Sequence, residues 1–247
     1  MSLIDETEGV PRRTMTLFFL VDTSGSMAGN KIGAVNDAIA NVIPMIREIS
    51  ASNPDAEIKV AAMQFSNGVS WLYDEPKPAA DFKWTDVSAF GMTVLGQACA
   101  ELSNKLSRNG FMQSASGSYA PAIILLSDGE PTDDFHGGLA KLKQNNWFKA
   151  AIKIAIAIGD DADTDVLKEF TGSSEAVFTV HNIDALKQVI RIVAVTSSQI
   201  GSKSSSAGEG SKQDQVVEVL KDNVQDIKGA EQANAPQTPV DNYDDWD

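Results

Sequence analysis

The sequence is poor in the residues on which several classes of protein depend. One cysteine, Cys99, in 247 residues excludes an internal disulfide and a cluster of thiolate metal ligands. Lys and Arg number only 20 against 34 Asp and Glu, a formal net charge of −14, so the chain repels phosphate and we expect neither nucleic acid nor an anionic membrane as a partner. Also missing are an apolar run of about 20 residues, which a membrane span needs, and the basic start of a secretory signal. We therefore expect a soluble, cytoplasmic protein.

Apolar segments of strand length alternate with segments of helical period from about residue 15 to residue 197. The segments 15–22 and 120–128 are almost continuously apolar, which is typical of strands buried on both faces. The segment 69–73 follows an Asn-Gly pair that favours a tight hairpin, so we expect it to be antiparallel and at the sheet edge. This order predicts an α/β fold, namely a Rossmann-like, doubly wound, mostly parallel sheet with one antiparallel edge strand.

The composition changes after residue 197. The predicted divisions are an N-terminal arm over 1–14, the α/β domain over 15–197, a Ser/Gly linker over 198–213, a candidate amphipathic helix over 214–228 and an acidic, disordered tail over 229–247. Residues 198–247 hold four lysines and ten acidic residues. Their net charge of −6 is close to half of the −14 of the whole chain. The candidate helix has an apolar stripe, which suits packing on the domain or on a partner.

The sequence Asp-Thr-Ser-Gly-Ser-Met at 22–27 is the strongest local signal for chemistry. Asp22 follows a buried strand, and Ser24 and Ser26 place two hydroxyls on the turn after it. Gly25 between the serines is expected to adopt a φ that other residues resist. A site built from oxygens alone suits a hard cation such as Mg²⁺.

Two further segments offer oxygen ligands at the same end of the predicted sheet. Thr93 closes the sequence Gly-Met-Thr, and Asp128 follows the second apolar strand. If the strands that end in Asp22 and Asp128 are neighbours, both carboxylates meet where the strand order reverses, which is where such sheets bind ligands. Two buried carboxylates repel each other unless a cation or a proton lies between them.

The three segments together resemble the metal-ion-dependent adhesion site of von Willebrand factor A domains, and the order of elements over about 15–197 is similar to that family's fold. The resemblance implies a metal site with five residues: Ser24, Ser26 and Thr93 bind Mg²⁺ directly or through water, and Asp22 and Asp128 hold coordinated waters. Mn²⁺ and Ca²⁺ are the alternative ions. Met92 departs from the pattern, because many members have a second glycine there.

The resemblance also implies a function. Such domains use the open coordination position of the metal to bind an Asp or Glu side chain of a protein partner, without catalysis. The segments Ser-Asp-Gly-Glu-Pro-Thr-Asp-Asp, Gly-Met-Thr and 157–170 look most like the TerY-type proteins of tellurium and stress resistance. That group implies a scaffold or adaptor acting with a protein kinase and a PP2C-type phosphatase.

Other interpretations of the same residues are weaker. An Asx turn with serine caps explains the first motif alone without a metal, but not its combination with Thr93 and Asp128. A phosphohydrolase of the haloacid-dehalogenase kind, using Asp22 and Mg²⁺, needs a second aspartate two residues later as its acid and base, and that position is Ser24.

Several isolated residues are expected to be structural. The acids within 161–165 fit a helix cap and first turn better than a calcium loop. Asp133 and Asp134 are expected to be solvent-facing acids at a helix start, and His136 and His181 to be solvated loop residues. Cys99 is expected to be a small core residue on a helix.

Overall fold

A seven-stranded sheet with helices on both faces organises the chain, in a computed structural model that describes residues 12–114, 116–202 and 211–223. The strands are β1 (Arg13–Asp22), β2 (Ala56–Phe65), β3 (Val69–Trp71), β4 (Lys77–Pro78), β5 (Ala122–Ser127), β6 (Ile152–Ile158) and β7 (Val177–Val180). The helices are α1 (Asn30–Ser52), α2 (Leu95–Lys105), α3 (Phe135–Lys143), α4 (Asn146–Ala150), α5 (Thr164–Thr171), α6 (Ile183–Ser202) and α7 (Lys212–Asp222).

The strand order is β3-β2-β1-β5-β6-β7, and every neighbouring pair is parallel except β2 with β3. The predicted α/β fold with an antiparallel edge strand is therefore confirmed. The two-residue strand β4 also pairs antiparallel with β2, beside β3 on the same edge, which the sequence did not predict. The chain leaves β1 towards β2 on one side and later returns to β5 on the other, so the strand order reverses between β1 and β5.

Each face of the sheet has its own apolar core because successive side chains of a strand point to opposite faces. Odd residues of β1, such as Leu17 and Phe19, pack in one core with α1 and α6, whereas Phe18 and Leu20 pack in the other with α2, α3 and α5. Cys99 is 1% exposed in the second core. Within the described ranges, no helix is both long and apolar enough to cross a membrane.

The C-terminal part of the described chain is helical and packs on the domain. Helix α6 continues to Ser202, five residues past the predicted domain end, and the burial of Ile200 accounts for the extension. Helix α7 buries Val216, Val217 and Leu220, and the side-chain amide of Gln213 donates to Lys153 O and accepts from Lys153 N–H in β6. Residues 1–11, the central part of the predicted linker, 224–228 and the acidic segment 229–247 lie outside the described residues.

Candidate metal centre

The two aspartates of the predicted site lie at the ends of adjacent strands. Asp22 is the last residue of β1, and Asp128 directly follows β5. The register pairs Val21 with Leu126, so both carboxylates emerge at the carboxyl end of the sheet where the strand order reverses. Both are buried, with Asp22 0% and Asp128 2% exposed.

The Asp22 carboxylate is held by two hydrogen bonds. Its Oδ1 accepts from the backbone N–H of Ser24 at 2.8 Å, and its Oδ2 accepts from the hydroxyl of Ser127 at 2.6 Å. Burial raises the pKa of Asp22 and the charge of Asp128 adds to the rise, while the hydrogen bonds from Ser127 and Ser24 only partly oppose it. The charged carboxylate is thus fixed in place but poorly compensated by the protein.

The two serines of the first motif present neighbouring hydroxyls on a short turn. Ser24 Oγ and Ser26 Oγ lie 3.0 Å apart, within hydrogen-bonding distance. Gly25 does not have a positive φ, so the expected conformational reason for this glycine is wrong. Its role is close approach instead, because its N–H donates to Gly91 O at 3.0 Å and a Cβ would lie only 3.3 Å from that oxygen.

Thr93 reaches the same region on a loop that is bonded to several segments. The loop is tied to the end of β1, because the N–H of Phe90 donates to Thr23 O at 2.8 Å. The N–H of Met92 donates to Asn67 Oδ1 at 2.9 Å, and that of Thr93 to Thr132 Oγ1 at 3.1 Å. Thr93 is 4% exposed, and it stands beside the loop that follows Asp128.

Asp128 has one partnered and one unpartnered oxygen. Its Oδ2 accepts from the Lys31 ammonium at 3.3 Å, and Lys31 also donates to the exposed Asp161 at 2.7 Å. Its Oδ1 is buried and has no hydrogen-bond partner in the structure. Partial burial lowers the pKa of Lys31, but the hydrogen bonds and charges of Asp161 and Asp128 outweigh it, so the pKa lies above its ordinary value. Lys31 therefore stays charged beside Asp128.

These residues fit a hard divalent cation. A buried carboxylate oxygen without a donor is costly unless a cation satisfies it, and Asp128 Oδ1 is such an atom. Over the ranges that the structure describes, no three His, Cys, Asp or Glu side chains are grouped to hold a metal. A site here must therefore use hydroxyls beside the two carboxylates, a donor set of oxygens that suits Mg²⁺ or Ca²⁺.

Sequence reasoning missed the partners that cross between segments. Ser127 donates to Asp22, and Lys31 donates to both Asp128 and Asp161. These contacts join residues 97 to 130 positions apart, so no spacing along the chain indicates them. Asp161 pairs with Lys31, whereas Asp163 caps α5 as predicted for this acidic segment.

Two other expectations need correction. Asp133 is not a solvent-facing acid of its own helix: its carboxylate accepts from the N–H groups of Gly96 and Gln97 at 2.9 and 2.8 Å, and so caps α2. The reason is that the loop after Asp128 crosses the start of α2. His136 lies in α3 rather than in a loop, although its side chain is 80% exposed.

Comparisons with known proteins agree with this architecture. The von Willebrand factor type A domain family matches residues 16–192. The pilus adhesin SpaC from Lactobacillus rhamnosus GG is similar in structure, with a TM-score of 0.57 and 16% identity over 74% of this chain and 30% of that one. The von Willebrand factor type A protein from Catenulispora acidiphila has a TM-score of 0.55 and 16% identity, over 75% and 43%.

Proximal thread matrix protein 1 from the mussel byssus, in a structure with a zinc-occupied MIDAS motif, has a TM-score of 0.54 and 15% identity over 76% of this chain and 46% of that one. The chain spans less than half the length of each of these three structures, and no curated protein matches it. At these identities the structural likeness is one of fold. The family match covers most of the chain, and this chain therefore belongs to the von Willebrand factor type A domain family.

Proposed function

We propose that this chain binds a divalent cation through Asp22, Ser24, Ser26, Thr93 and Asp128, and uses it to bind a carboxylate side chain of a protein partner. The observation that carries the proposal is the buried Asp128 Oδ1, which has no donor although it lies at the strand ends beside a second buried carboxylate. The family is one of metal-binding protein-interaction modules, which supports the same function.

The proposed site residues have different parts in this function. Asp22 is held by Ser24 and Ser127 and supplies a fixed negative charge. The hydroxyls of Ser24, Ser26 and Thr93 supply neutral oxygens, so the site carries two negative charges in total. A bound divalent cation supplies the positive charge that draws a partner's Asp or Glu to a chain that is otherwise acidic. Mg²⁺ is the ion we propose, with Mn²⁺ and Ca²⁺ as the alternatives.

The setting that we infer comes from the sequence resemblance to TerY-type proteins alone. We propose a cytoplasmic scaffold or adaptor in a stress- or tellurium-resistance-type system, acting with a protein kinase and a PP2C-type phosphatase. Pull-down from cell extract with the full chain, with Mg²⁺ or with EDTA, followed by mass spectrometry, tests this setting. The expected result is a kinase or a phosphatase that is retained only with Mg²⁺, and retention of unrelated proteins alone contradicts it.

Metal binding itself is tested by chemical unfolding with and without Mg²⁺. At a Mg²⁺ concentration of ten times its dissociation constant, the free energy of unfolding should rise by about 1.4 kcal/mol because the ion binds only the folded chain. Isothermal titration with Mg²⁺ supplies that constant. Absence of both a heat of binding and a shift at millimolar Mg²⁺ contradicts the proposed function.

The alternative function, a Mg²⁺-dependent phosphohydrolase that uses Asp22, is disfavoured by the same geometry. Asp22 is 0% exposed, and both of its oxygens already accept hydrogen bonds, so it does not present a free nucleophile. Ser24 occupies the position where that chemistry needs a second carboxylate. Turnover of a generic phosphoester with Mg²⁺, lost in Asp22→Asn, would revive this alternative.

Lys31→Met is expected to strengthen Mg²⁺ binding by about fivefold. The Lys31 ammonium lies 3.3 Å from Asp128 Oδ2 and balances the charge that a divalent cation would otherwise balance. Removing a partly exposed competing cation of this kind is worth roughly 1 kcal/mol, which is about fivefold in the dissociation constant. Isothermal titration measures the dissociation constant.

Lys187→Met is the matched control, because Lys187 also pairs with an aspartate at 3.0 Å and is similarly exposed, but it lies on α6 against Asp37. It should leave the Mg²⁺ dissociation constant unchanged. Weaker binding by Lys31→Met would mean that Lys31 orients Asp128 for the metal rather than competing with it.

A further inference from the structure

Two large apolar side chains project into solvent from the loop that carries Thr93. Phe90 is 60% and Met92 is 54% exposed. Among residues 12–114, 116–202 and 211–223, no other large apolar side chain is more than half exposed, and the next is Val219 on α7 at 36%. We name the pair Phe90 and Met92 the apolar rim.

The backbone that carries the apolar rim is bonded to two other segments of the chain. Phe90 and Met92 each donate a backbone hydrogen bond, to Thr23 O and to Asn67 Oδ1. Gly91 between them has a φ of +80° and packs so closely that a Cβ would lie 2.4 Å from Asn67 Oδ1. The backbone of the loop is therefore fixed at both residues of the rim, with the two side chains exposed to solvent.

Fixed exposure of this kind is costly in water and is typical of binding surfaces. Single exposed apolar side chains are common on protein surfaces, whereas neighbouring large ones are more frequent at sites of interaction. Phe and Met are among the residues enriched in protein interfaces, and a loop whose backbone is already held in position loses little conformational entropy on binding. The rim thus has the properties of a preorganised contact.

The rim adjoins the proposed metal site directly. Thr93 follows Met92 in the chain, and the residue between the rim side chains, Gly91, accepts from the N–H of Gly25 in the first motif. Successive residues of an extended peptide advance by about 3.3 Å. Phe90 lies three residues before Thr93 and Met92 one residue before it, so a peptide whose carboxylate reaches the metal would bring a side chain from within about three residues over the rim.

We propose that the apolar rim binds a large apolar side chain of the same partner segment that supplies the carboxylate, so the partner has an Asp or Glu within about three residues of a large apolar residue. This inference rests on the proposed function. A partner segment with one acid and one large apolar residue suits this acidic chain, because the chain repels further negative charge. The apolar residue adds affinity without adding such charge.

Selection from a random peptide library displayed on phage, with the full chain as bait in Mg²⁺, tests the proposal. The enriched peptides should combine an acid with a large apolar residue at this spacing. Their affinity should fall at least about tenfold in the double variant Phe90→Ala, Met92→Ala. The double variant should bind Mg²⁺ as the parent does, since neither side chain is a ligand, and Val219→Ala is the matched control with unchanged affinity.

The outcomes separate the rim from the metal. If the enriched peptides are acidic but lack an apolar residue, and the double variant binds them equally well, the proposed role of the rim is overturned. The proposed function would still stand. Peptides that bind equally in EDTA, or a chain that binds no Mg²⁺ by titration, would overturn the proposed function and with it the coupling proposed here. Self-association of the parent that the double variant abolishes, seen by analytical ultracentrifugation, would assign the rim to a second copy and overturn the partner segment.

Discussion

Asp22→Asn should leave the chain folded and severely weaken its binding of Mg²⁺. The asparagine amide has the same shape as the carboxylate, so its oxygen can still accept from Ser24 N–H. In the parent, Asp22 Oδ2 accepts from the Ser127 hydroxyl; in the variant, the amide nitrogen would donate to Ser127 Oγ instead. The substitution removes one of two buried like charges, so we expect the free energy of unfolding without metal to stay the same or to rise. A hard cation loses a charged partner, and we expect at least about a hundredfold weaker binding, in line with the loss of a charge-assisted contact.

The measurements are a urea unfolding curve without metal and a Mg²⁺ titration. Asp37→Asn is the matched control, because it removes the same charge from an exposed carboxylate of α1 that pairs with Lys187 of α6. It should bind Mg²⁺ as the parent does. Unchanged Mg²⁺ binding by Asp22→Asn would rule out the site, whereas a folded but metal-free variant would tie binding to this carboxylate.

Gly138→Ala should destabilise the fold by about 3 kcal/mol or more, the upper range for an added carbon that the structure cannot accommodate. Helices α2 and α3 cross so closely that a Cβ at Gly138 would lie 2.1 Å from Gly96 O and 2.7 Å from Gly96 C. Both atoms belong to the backbone, so a side-chain rotation cannot relieve the collision. The crossing also positions the candidate site, since α2 follows Thr93 and α3 follows the loop after Asp128.

Gly33→Ala is the matched control for the second prediction. Gly33 lies inside α1, and a Cβ there has nothing within 4 Å. Alanine is favoured over glycine in a helix, so this variant should be more stable than the parent by roughly 0.5–1 kcal/mol. Urea unfolding measures both variants, and equal stability of Gly138→Ala and Gly33→Ala would show that the two helices can separate at little cost.

Local pattern was sufficient to predict most of the fold. Strands β1 and β5 are buried on both faces, so the sequence of each is an almost continuous apolar run. The run in β1 ends at Asp22, the last residue of the strand, and the run in β5 is followed by Asp128. The helix that covers them, α1, has its buried residues at spacings of three and four. Such patterns are decided by burial alone and are therefore visible in one sequence. Strand β4 has only two residues, too few for any periodicity, and was missed.

The candidate site divides in the same way. Its five oxygen-bearing residues were predicted from the sequence, because strand ends and turns have local signals, and their role as ligands stays a prediction. Lys31, Asp161 and Ser127 were not predicted. Their contacts depend on which strands are neighbours and on how far each loop extends, and a spacing along the chain carries no information on either. Gly25 shows the same limit: its position in the motif was significant, but the reason is a close backbone approach rather than its φ.

The sequence by itself determined the class of fold, the set of candidate oxygen ligands and the acidic character of the chain, because burial period, turn chemistry and charge are properties of short segments. Only the tertiary structure decided that Asp128 keeps one oxygen without a donor, that Lys31 balances the other, and that Phe90 and Met92 remain in solvent beside Thr93. These features arise where residues far apart in the chain meet, and the packing of β1, β5 and the loops between them sets each of the distances.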